Sequence, residues 1–507
     1  MSSVKKQLIK NTCSGWVAQL SAAAVGFIIL PYNLQYLGKD VYGISVIAVT
    51  VIAMLQFLNL GMGPALLRFF SQAIAKNDKD ELEKISSTSQ LILGGLGVIG
   101  AVVIFAGIPW FLRFYEIAPE NHHETKVLLF CLAISFFLSF HSMVFTGIVL
   151  ASNRYDAINL NGVISSWLRM GLLVIFYNVF IPSLIWLGAA ILISGIYSYL
   201  TVIGLSFHNQ GKAILFSAKK VTLSWLPVLF SFSFLSLINS VFFSASIHVP
   251  LLIIGKTLGK ETATLFYPAI LVATYLFSIL AQICNPLTPI AAQDQVNAGG
   301  KNIGRWAILF GQIISCVGYG CIFAAVVFMP DVLRIWLGND FVDMSLTVTV
   351  LTIGVVYASI QGVNYNLALG ANTIAPIAYS SVVMAILTSL GALLGTLYWN
   401  WGLLEVALCI TIVRVLRNTF FLSWIYSKIF NYSFRDYFFK VYIKPAMAGI
   451  PLLALIYIIK HTFLMSQVGL LLLILEIFVT ALLYMFVTWF GGFSMETRSF
   501  LLKRRQN

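Results

Sequence analysis

The sequence is poor in charge. Asp, Glu, Lys and Arg make up only 10% of its 507 residues, whereas a soluble domain carries roughly 25%. So few charges cannot cover the surface of a chain this long in water, and a soluble fold is excluded. Hydrophobic residues make up 59% of the chain, and the mean hydropathy is +0.92. Most of the surface must therefore face lipid.

Motifs for covalent chemistry are also missing. No GxxxxGK[ST] phosphate loop occurs, and the longest predicted external connection, 111–126, is too short for a catalytic domain. The six cysteines show no CxxC or His-rich spacing, which is typical of free buried thiols: Cys13, Cys131, Cys284, Cys316, Cys321 and Cys409. We expect no catalytic residue, no cofactor and no metal site, and hence no enzyme.

Long apolar stretches are abundant instead. A spanning helix needs about 20 apolar residues, because the hydrocarbon core is ~30 Å thick. Fourteen such stretches are predicted, at 13–36, 42–64, 88–110, 127–149, 159–179, 182–206, 225–254, 263–289, 304–329, 344–369, 375–398, 403–425, 443–459 and 467–490. The sequence predicts an all-α polytopic membrane protein with about fourteen transmembrane helices.

The basic residues follow the predicted topology. With the N-terminus inside, 21 of the 31 Lys and Arg residues lie in cytoplasmic segments, 7 in external segments and 3 within spans. This asymmetry is the positive-inside rule, and it places both termini in the cytoplasm. The net charge of +13 is therefore explained by topology, and we expect no binding of nucleic acid.

An internal repeat divides the chain. Leu37-Gly38-Lys39-Asp40 matches Leu258-Gly259-Lys260-Glu261 at an offset of 221, and Ala151-Ser152-Asn153 matches Gly370-Ala371-Asn372 at an offset of 219. Pro64 and Pro286 pair at an offset of 222. An even number of helices separates the matching elements, so the repeat is parallel, about an axis along the membrane normal. We predict a six-helix half at 1–206, a second at 207–425, and two further helices with a basic tail at 426–507.

Ordered motifs in this sequence resemble the polysaccharide-transport family of the MOP flippase superfamily, which includes Wzx-like O-antigen flippases. They begin with Leu37-Gly38-Lys39-Asp40-Val41-Tyr42-Gly43 and Leu60-Gly61-Met62-Gly63-Pro64-Ala65-Leu66-Leu67-Arg68-Phe69. They continue with Asn153-Arg154-Tyr155-Asp156, Ile335-Trp336-Leu337-Gly338, Leu367-Ala368-Leu369-Gly370-Ala371-Asn372 and Trp401-Gly402-Leu403-Leu404-Glu405-Val406-Ala407. The likeness covers about 5–490. The sequence departs from the family pattern at Thr264-Leu265-Phe266-Tyr267, where Gly-x-Tyr is usual. It departs also at Ile290, which stands where the second half would have an arginine equivalent to Arg68.

The resemblance implies a function. It implies a flippase in the bacterial inner membrane that moves an undecaprenyl-pyrophosphate-linked oligosaccharide, of O-antigen, capsule or exopolysaccharide type, from the cytoplasmic to the periplasmic leaflet by alternating access. Partners implied with it are membrane lipids, a polysaccharide polymerase and a chain-length regulator. Two alternatives stay open within the superfamily, a lipid II flippase like MurJ and a MATE-like antiporter of drugs or cations. A membrane glycosyltransferase or polymerase is disfavoured, because it has no need of a two-half repeat.

Candidate binding residues are the cations within or beside the spans. Arg169 lies near the middle of span five, and Arg414 and Arg417 share one face of span twelve. Lipid cannot solvate a charge, so these residues must face an interior path, an ion-pair partner or the cytoplasmic surface. Arg68 follows span two on an amphipathic stretch, where snorkelling competes with a phosphate contact. An anionic pyrophosphate would suit all four.

Candidate ion-coupling residues are His141 in span four, His248 in span seven and Glu476 in span fourteen. Histidine titrates near neutral pH, and intramembrane acids often form proton relays. Each residue could equally be a hydrogen-bonded packing residue. The last two helices have no counterpart in the repeat, and we expect them to form an accessory groove that faces lipid.

Overall fold

Local capping explains where several helices begin. The Asp78 carboxylate accepts a hydrogen bond from the backbone N–H of Glu81 (2.9 Å). Such a bond satisfies one of the free N–H groups of a first helical turn, where the helix dipole also favours acidic residues. The Glu405 carboxylate accepts a similar bond from the N–H of Gly402 (2.9 Å). Glu405 is exposed, and its carboxylate caps the start of the helix Leu403–Leu416.

The computed structural model describes residues 2–55, 58, 62–222, 225–463 and 469–502. Within these ranges all regular structure is helical. The first helices are α1 (Ser2–Leu55), α2 (Met62–Ala75), α3 (Lys79–Phe114), α4 (His122–Ala151), α5 (Tyr155–Val179), α6 (Leu184–Gln210), α7 (Trp225–Thr257), α8 (Lys260–Cys284) and α9 (Leu287–Ala298). They are followed by α10 (Ile303–Leu337), α11 (Ser345–Gly370), α12 (Ala375–Tyr398), α13 (Leu403–Leu416), α14 (Ser423–Ile429), α15 (Phe434–Tyr437), α16 (Lys444–Phe463), α17 (Leu470–Gly491) and α18 (Met495–Leu502).

Thirteen of the described helices are long and apolar enough to cross a membrane. The longest of them, Ser14–Leu55, holds the first predicted span and most of the second, because the backbone turns at Gly38 (φ 75°, ψ 168°). Each of the other twelve predicted spans coincides with a helix of its own. Residues 56, 57 and 59–61 of the second span lie outside the described residues. The predicted multi-pass all-α architecture is confirmed.

Backbone conformation reveals the repeat more fully than the sequence motifs did. Among the described residues, five pairs of positive-φ residues stand at offsets of 219 to 222, and each pair closes corresponding helices. The pairs are Gly38 and Gly259, Asn77 and Gly299, Glu116 and Gly338, Asn153 and Asn372, and Gly211 and Asn431. Side chains disfavour this conformation except in Gly and, less strongly, Asn or Asp. The predicted internal repeat is therefore confirmed in the backbone. Its parallel orientation stays a prediction from the even number of helices between matching positions.

A proline and an arginine repeat as well. Pro109 and Arg113 near the end of α3 correspond to Pro330 and Arg334 near the end of α10, each at an offset of 221. The sequence motifs had not included this pair. The chain forms two compact units, Met1–Thr264 and Leu265–Asn507. The predicted domain limits at 206 and 425 follow the repeat instead and stay a prediction.

In the first unit, the segment after α6 is bound to the start of α3. Gln90 Nε2 donates to the carbonyl of Ile214 (2.8 Å), and the N–H groups of Ser217 and Thr222 donate to Ser87 Oγ (3.1 Å) and Thr88 Oγ1 (3.0 Å). These α3 side chains are buried. Buried polar groups need such partners, so this connection between the repeats is a fixed part of the first unit.

In the second unit, the additional helices α16 and α17 pack against α10. Lys460 near the end of α16 forms an ion pair with Asp331 of α10 and donates to the carbonyl of Val327 (3.1 Å). Leu473 of α17 packs on Val327 and Phe328. Two short π-helical segments, Arg417–Leu422 and Phe438–Ile443, interrupt the helices nearby. Such segments are uncommon and often mark functional positions.

The positive-φ positions generate a stability prediction. Asn372 has φ 58°, and a β-branched side chain costs roughly 1–2 kcal/mol in this conformation. We expect Asn372→Val to lower the thermal unfolding midpoint of the purified protein in detergent, and Asn372→Gly to leave it within a degree or two. Equal melting of the two variants would contradict the assigned backbone conformation.

Candidate functional site

Helix α5 differs from the other spanning helices. Its most apolar window has a mean hydropathy of 1.4, the lowest of the thirteen, and only 11% of that window is buried, also the lowest share. By contrast, the window of α3 has a mean hydropathy of 2.6 with 28% buried. A helix that the protein covers so little should be strongly apolar if lipid covered the rest. The exposed side of α5 is therefore suited to a water-filled space.

The polar residues of α5 reach α1 along its length. Hydrogen bonds join the two helices near the start, middle and end of α5: Asn159 Nδ2 to Ser14 Oγ (2.9 Å), Trp167 Nε1 to Ser21 Oγ (2.8 Å) and Asn178 Nδ2 to Tyr32 Oη (3.0 Å). Trp167 is 44% exposed, and Asn178 is exposed as well. The α1–α5 seam is thus polar, ordered and open on one side.

A second set of polar contacts joins α5 to α6. Asn161 Nδ2 donates to Ser198 Oγ (2.8 Å), and Ser165 Oγ donates to the carbonyl of Ser194 (3.1 Å). Tyr199 follows Ser198 on α6, and its hydroxyl forms a hydrogen bond with His141 Nδ1 of α4 (2.8 Å). The structure thus places His141 beside the polar side of α6, in the same unit as α5. This contact leaves both a packing role and a proton-coupling role open.

Arg169 lies on α5 one turn beyond Ser165. Its Nε atom is buried and has no hydrogen-bond partner among the described residues. A cation within the membrane costs about 2.5–3.5 kcal/mol on insertion scales, and a buried donor without a partner adds to that cost. An anionic group on a passing ligand would relieve both penalties. Arg169 is therefore the candidate cation of the first unit.

Arg417 is placed very differently, within the second unit. Its Nε donates to Ser380 Oγ (3.0 Å), its Nη1 to Asn418 Oδ1 (3.0 Å), and its Nη2 to Ser381 Oγ (2.7 Å) and the Ile377 carbonyl (3.0 Å). The side chain is buried. These neutral acceptors use four of the five N–H groups of the guanidinium. The contacts favour the structural alternative for Arg417, a link between α12 and α13.

Arg414 lies one turn before Arg417 and is 1% exposed. The predicted shared face is thus present, and it points into the second unit. Arg68 is exposed on α2, with its guanidinium 5.8 Å from the ring centre of Phe69. This position agrees with snorkelling. The binding roles of both residues stay predictions.

The other candidate coupling residues lie apart in the chain. His248 is half-buried in α7 of the first unit. Glu476 lies in α17 of the second unit, and both of its carboxylate oxygens are buried without a hydrogen-bond partner among the described residues. Burial of polar oxygens in this way is costly, so Glu476 is not explained by hydrogen-bonded packing. No two of His141, His248 and Glu476 are joined by a described contact, and their coupling roles stay predictions.

An apolar cavity of about 500 Å³ lies between α10, α16 and α17 of the second unit. Its lining includes Cys316, Phe323, Leu453, Ile456, Tyr484 and Trp489. This cavity lies where the accessory groove of the C-terminal pair is expected, and that it faces lipid stays a prediction. Its shape and chemistry suit a hydrocarbon chain.

Sequence reasoning missed the α1–α5 seam. Arg169 drew attention because it is charged, whereas Asn159, Trp167 and Asn178 are ordinary residues when each is considered alone. The available signal was their spacing, because polar or amphipathic residues recur along α5 while the neighbouring spans stay apolar. Their partners Ser14, Ser21 and Tyr32 lie more than 140 residues away, and no local pattern identifies them.

Comparisons with known proteins show what this chain is similar to. The MatE family model matches residues 17–180. A protein of Shigella flexneri named "Putative O-antigen transporter" is 20% identical over 428 residues, which span 83% of this chain and 98% of that protein.

Solved structures extend the agreement over most of the chain. The lipid II flippase MurJ, in an inward closed conformation, aligns with a TM-score of 0.69 at 13% identity, over 93% of this chain and 97% of MurJ. An inward-facing multidrug resistance MATE transporter of the MOP superfamily aligns with a TM-score of 0.63 at 14% identity, over 82% and 97%. This chain therefore has the MOP-superfamily fold, and the resemblance inferred from its motifs is confirmed.

The Arg417 contacts generate a prediction about stability. Removing the guanidinium in Arg417→Met leaves buried hydroxyl, amide and carbonyl groups unpaired, at about 1–3 kcal/mol for each group that finds no new partner. We expect a large fall in the thermal unfolding midpoint, and a smaller fall in Arg417→Lys. A midpoint that is unchanged in Arg417→Met would show that these contacts do not hold α12 to α13.

Proposed function

We propose that this chain, which has the MOP-superfamily fold, is a flippase for undecaprenyl-pyrophosphate-linked oligosaccharides. It moves the repeat unit of an O-antigen, capsule or exopolysaccharide from the cytoplasmic to the periplasmic leaflet of the bacterial inner membrane. The proposal also places both termini in the cytoplasm, as the distribution of Lys and Arg predicts.

The observation that carries the proposal is the polar, uncovered side of α5. A glycan needs hydrogen-bonding groups and aromatic faces along its route, and the α1–α5 seam offers amides, hydroxyls and the exposed ring of Trp167. A pyrophosphate needs a cation, and Arg169 lies on the same helix with a buried donor that lacks a described partner. These features match the head group of the cargo.

The lipid tail of such a cargo is too long to enclose. It must stay in contact with the membrane or with an apolar surface while the head group crosses. The cavity between α10, α16 and α17 is lined almost wholly by apolar side chains. This apolar surface favours a lipid-linked cargo over a free sugar, because a free sugar has no hydrocarbon chain to occupy the cavity.

A MATE-like antiporter of organic cations is the second candidate. Its support is the match of the MatE family model to residues 17–180. Charge argues against it, because the candidate cation on the polar side of α5 is Arg169, whose buried Nε has no hydrogen-bond partner among the described residues. A cationic cargo would meet repulsion from this arginine.

Deletion of the gene tests the cargo class. We expect loss of surface polysaccharide, with lipid-linked units accumulating in the cytoplasmic leaflet, because synthesis continues while transfer stops. Polysaccharide is measured by immunoblotting of surface extracts, and lipid-linked units by mass spectrometry of membrane lipids. Normal surface polysaccharide in a strain without a second flippase, together with raised sensitivity to cationic drugs, would favour the antiporter instead.

Substitution of Arg169 tests the role of α5. Arg169→Ala should lower polysaccharide export several-fold because the pyrophosphate loses its cation, and Arg169→Lys should retain more export because the charge remains. Immunoblots of membrane fractions should show equal amounts of both variants. Arg113→Ala, which removes an exposed arginine beyond the predicted span 88–110, serves as the matched control. Full export by Arg169→Ala would assign this residue a packing role.

A further inference from the structure

A buried glutamine joins the helices around the apolar cavity at one of its ends. Gln312 of α10 is fully buried, and both ends of its amide are bonded. Its Nε2 donates to the carbonyl of Lys440 (3.2 Å), and its Oε1 accepts from the hydroxyls of Ser494 (3.1 Å) and Thr497. Lys440 lies just before α16, whereas Ser494 and Thr497 follow the end of α17. One amide therefore holds both additional helices to α10.

The repeat accounts for half of this arrangement. Gln312 corresponds to Gln90 at an offset of 222. Gln90 also donates from Nε2 to a backbone carbonyl, that of Ile214 (2.8 Å), in the segment that follows α6. Gln312 binds Ser494 and Thr497 in addition, in a part of the chain that has no counterpart in the first half. The added bonds thus belong to the C-terminal helix pair.

The Gln312 contact lies at the edge of the cavity. Cys316, one turn further along α10, lines the cavity, as do Trp489 and Phe493 near the end of α17. A Cβ atom on Gly492 would stand 3.1 Å from Cys316 Sγ, so the end of α17 packs closely on α10 here. Separation of the two helices at this point would open the cavity.

The other end of α16 is attached more firmly. Lys460 forms an ion pair with Asp331 of α10 and donates to the carbonyl of Val327 (3.1 Å). Both charged side chains are largely buried, and buried pairs are screened less than exposed ones. Charge-assisted hydrogen bonds are also stronger than bonds between neutral groups. The helix pair should therefore part from α10 more readily at the Gln312 end.

The two π-helical segments give the helix pair a place to bend. Phe438–Ile443 leads directly into α16, and helix kinks commonly lie at such segments. The Tyr442 hydroxyl donates to the carbonyl of Asn418 in the other segment, Arg417–Leu422 (3.3 Å). Asn418 Nδ2 and Thr419 Oγ1 are buried without a hydrogen-bond partner among the described residues. Such groups are costly, so a bent arrangement that pairs them is favoured to that extent.

Two cations lie at the same end of the cavity. Lys444, the first residue of α16, donates to the carbonyl of Phe493 (3.1 Å), and Arg498 Nη2 donates to the same carbonyl (3.4 Å). Arg498 Nε is buried and has no hydrogen-bond partner among the described residues. A phosphate accepts strong hydrogen bonds from such donors. The occupant that fits this end is a hydrocarbon chain that carries a phosphate.

We propose that the Gln312 amide is a clasp on the cavity between α10, α16 and α17. When the clasp releases and the π-helical segments bend, the polyprenyl chain of the cargo enters the cavity while its phosphate lies at Lys444 and Arg498. When the clasp re-forms, the chain is enclosed. Gln312 acts through the helices that it holds, so it is a positioning residue. The choice of occupant rests on the proposed function, whereas the clasp does not.

Photo-cross-linking measures entry of a chain into the cavity. The purified protein is reconstituted in phosphatidylcholine vesicles with a polyprenyl phosphate that carries a diazirine in its chain, and the cross-linked peptides are mapped by mass spectrometry. We expect Gln312→Met, which removes the amide but keeps the length of the side chain, to raise the rate of cross-linking to the cavity lining several-fold. Gln90→Met makes the same change at the equivalent position and should leave that rate unchanged. Equal rates in Gln312→Met and the unsubstituted protein would overturn the clasp.

Removal of the partner hydroxyls provides a second variant that leaves α10 intact. Ser494→Ala combined with Thr497→Val deletes both donors to Gln312 Oε1 and should also raise the rate of cross-linking. This variant decides the test if Gln312→Met fails to fold. An unchanged rate in a folded Ser494→Ala, Thr497→Val protein would show that the end of α17 does not control entry.

A disulfide can hold the clasp closed reversibly. Gly492 has φ −80°, which any residue adopts, and its distance to Cys316 Sγ allows a Gly492→Cys variant to form a disulfide with this native cysteine. Oxidation, checked by mass spectrometry of the linked peptides, should abolish cross-linking to the cavity lining, and a reductant should restore it. Gly492→Ala adds the same Cβ without a thiol and should cross-link equally under both conditions. Undiminished cross-linking with the disulfide formed would overturn the clasp.

A second probe tests the occupant. Phosphatidylglycerol with a diazirine in one acyl chain, at the same mole fraction, should cross-link to the cavity lining less than the polyprenyl phosphate does. Preferential cross-linking of phosphatidylglycerol would make the occupant a membrane phospholipid and overturn the assignment to the cargo chain. If the variants behave as expected but no polysaccharide depends on the protein, the clasp stands and the proposed cargo is wrong.

Discussion

Lipid cannot hydrogen-bond to a protein, and the rest of the structure depends on that constraint. It makes every described span a helix, because only a helix satisfies its own backbone groups. It also requires each polar side chain in a span to find a partner or to face water. Arg417 meets this requirement within the second unit through four neutral acceptors. Helix α5 meets this requirement only in part. Its polar side that the protein leaves uncovered identifies the candidate path.

The repeat gives the two hairpins at Gly38 and Gly259 their geometry. Equivalent positive-φ residues end equivalent helices, so equivalent side chains arrive at equivalent places. Near these turns the Thr264 hydroxyl donates a hydrogen bond to the Lys39 carbonyl, and Gly43 lies against the Lys260 carbonyl. Departures from the regularity then carry information. Thr264 differs from Gly43, and the difference is the feature that lets the hairpins pack.

The overall architecture could be predicted from the sequence because its causes are local. Apolar length located the spans, and short motifs such as Leu37-Gly38-Lys39-Asp40 located the repeat. Residues of the candidate site could be predicted only where the residue type is unusual within a membrane span, as a charged residue is. Arg169, Arg414 and Arg417 look alike as intramembrane cations. Their surroundings differ, because Arg417 is enclosed by acceptors on α12 whereas Arg169 has a buried nitrogen without a described partner.

The sequence by itself determined that this chain lies in a membrane, that it crosses as helices and that it repeats, because hydropathy and turn residues act over a few positions at a time. Tertiary structure alone decided which polar residues of the described chain have hydrogen-bond partners and which have none. It bonded Ser14 to Asn159 and Ser21 to Trp167, and it set Gly43 against Lys260. Those pairs are separated by more than 140 residues, and packing in three dimensions is what brings them together.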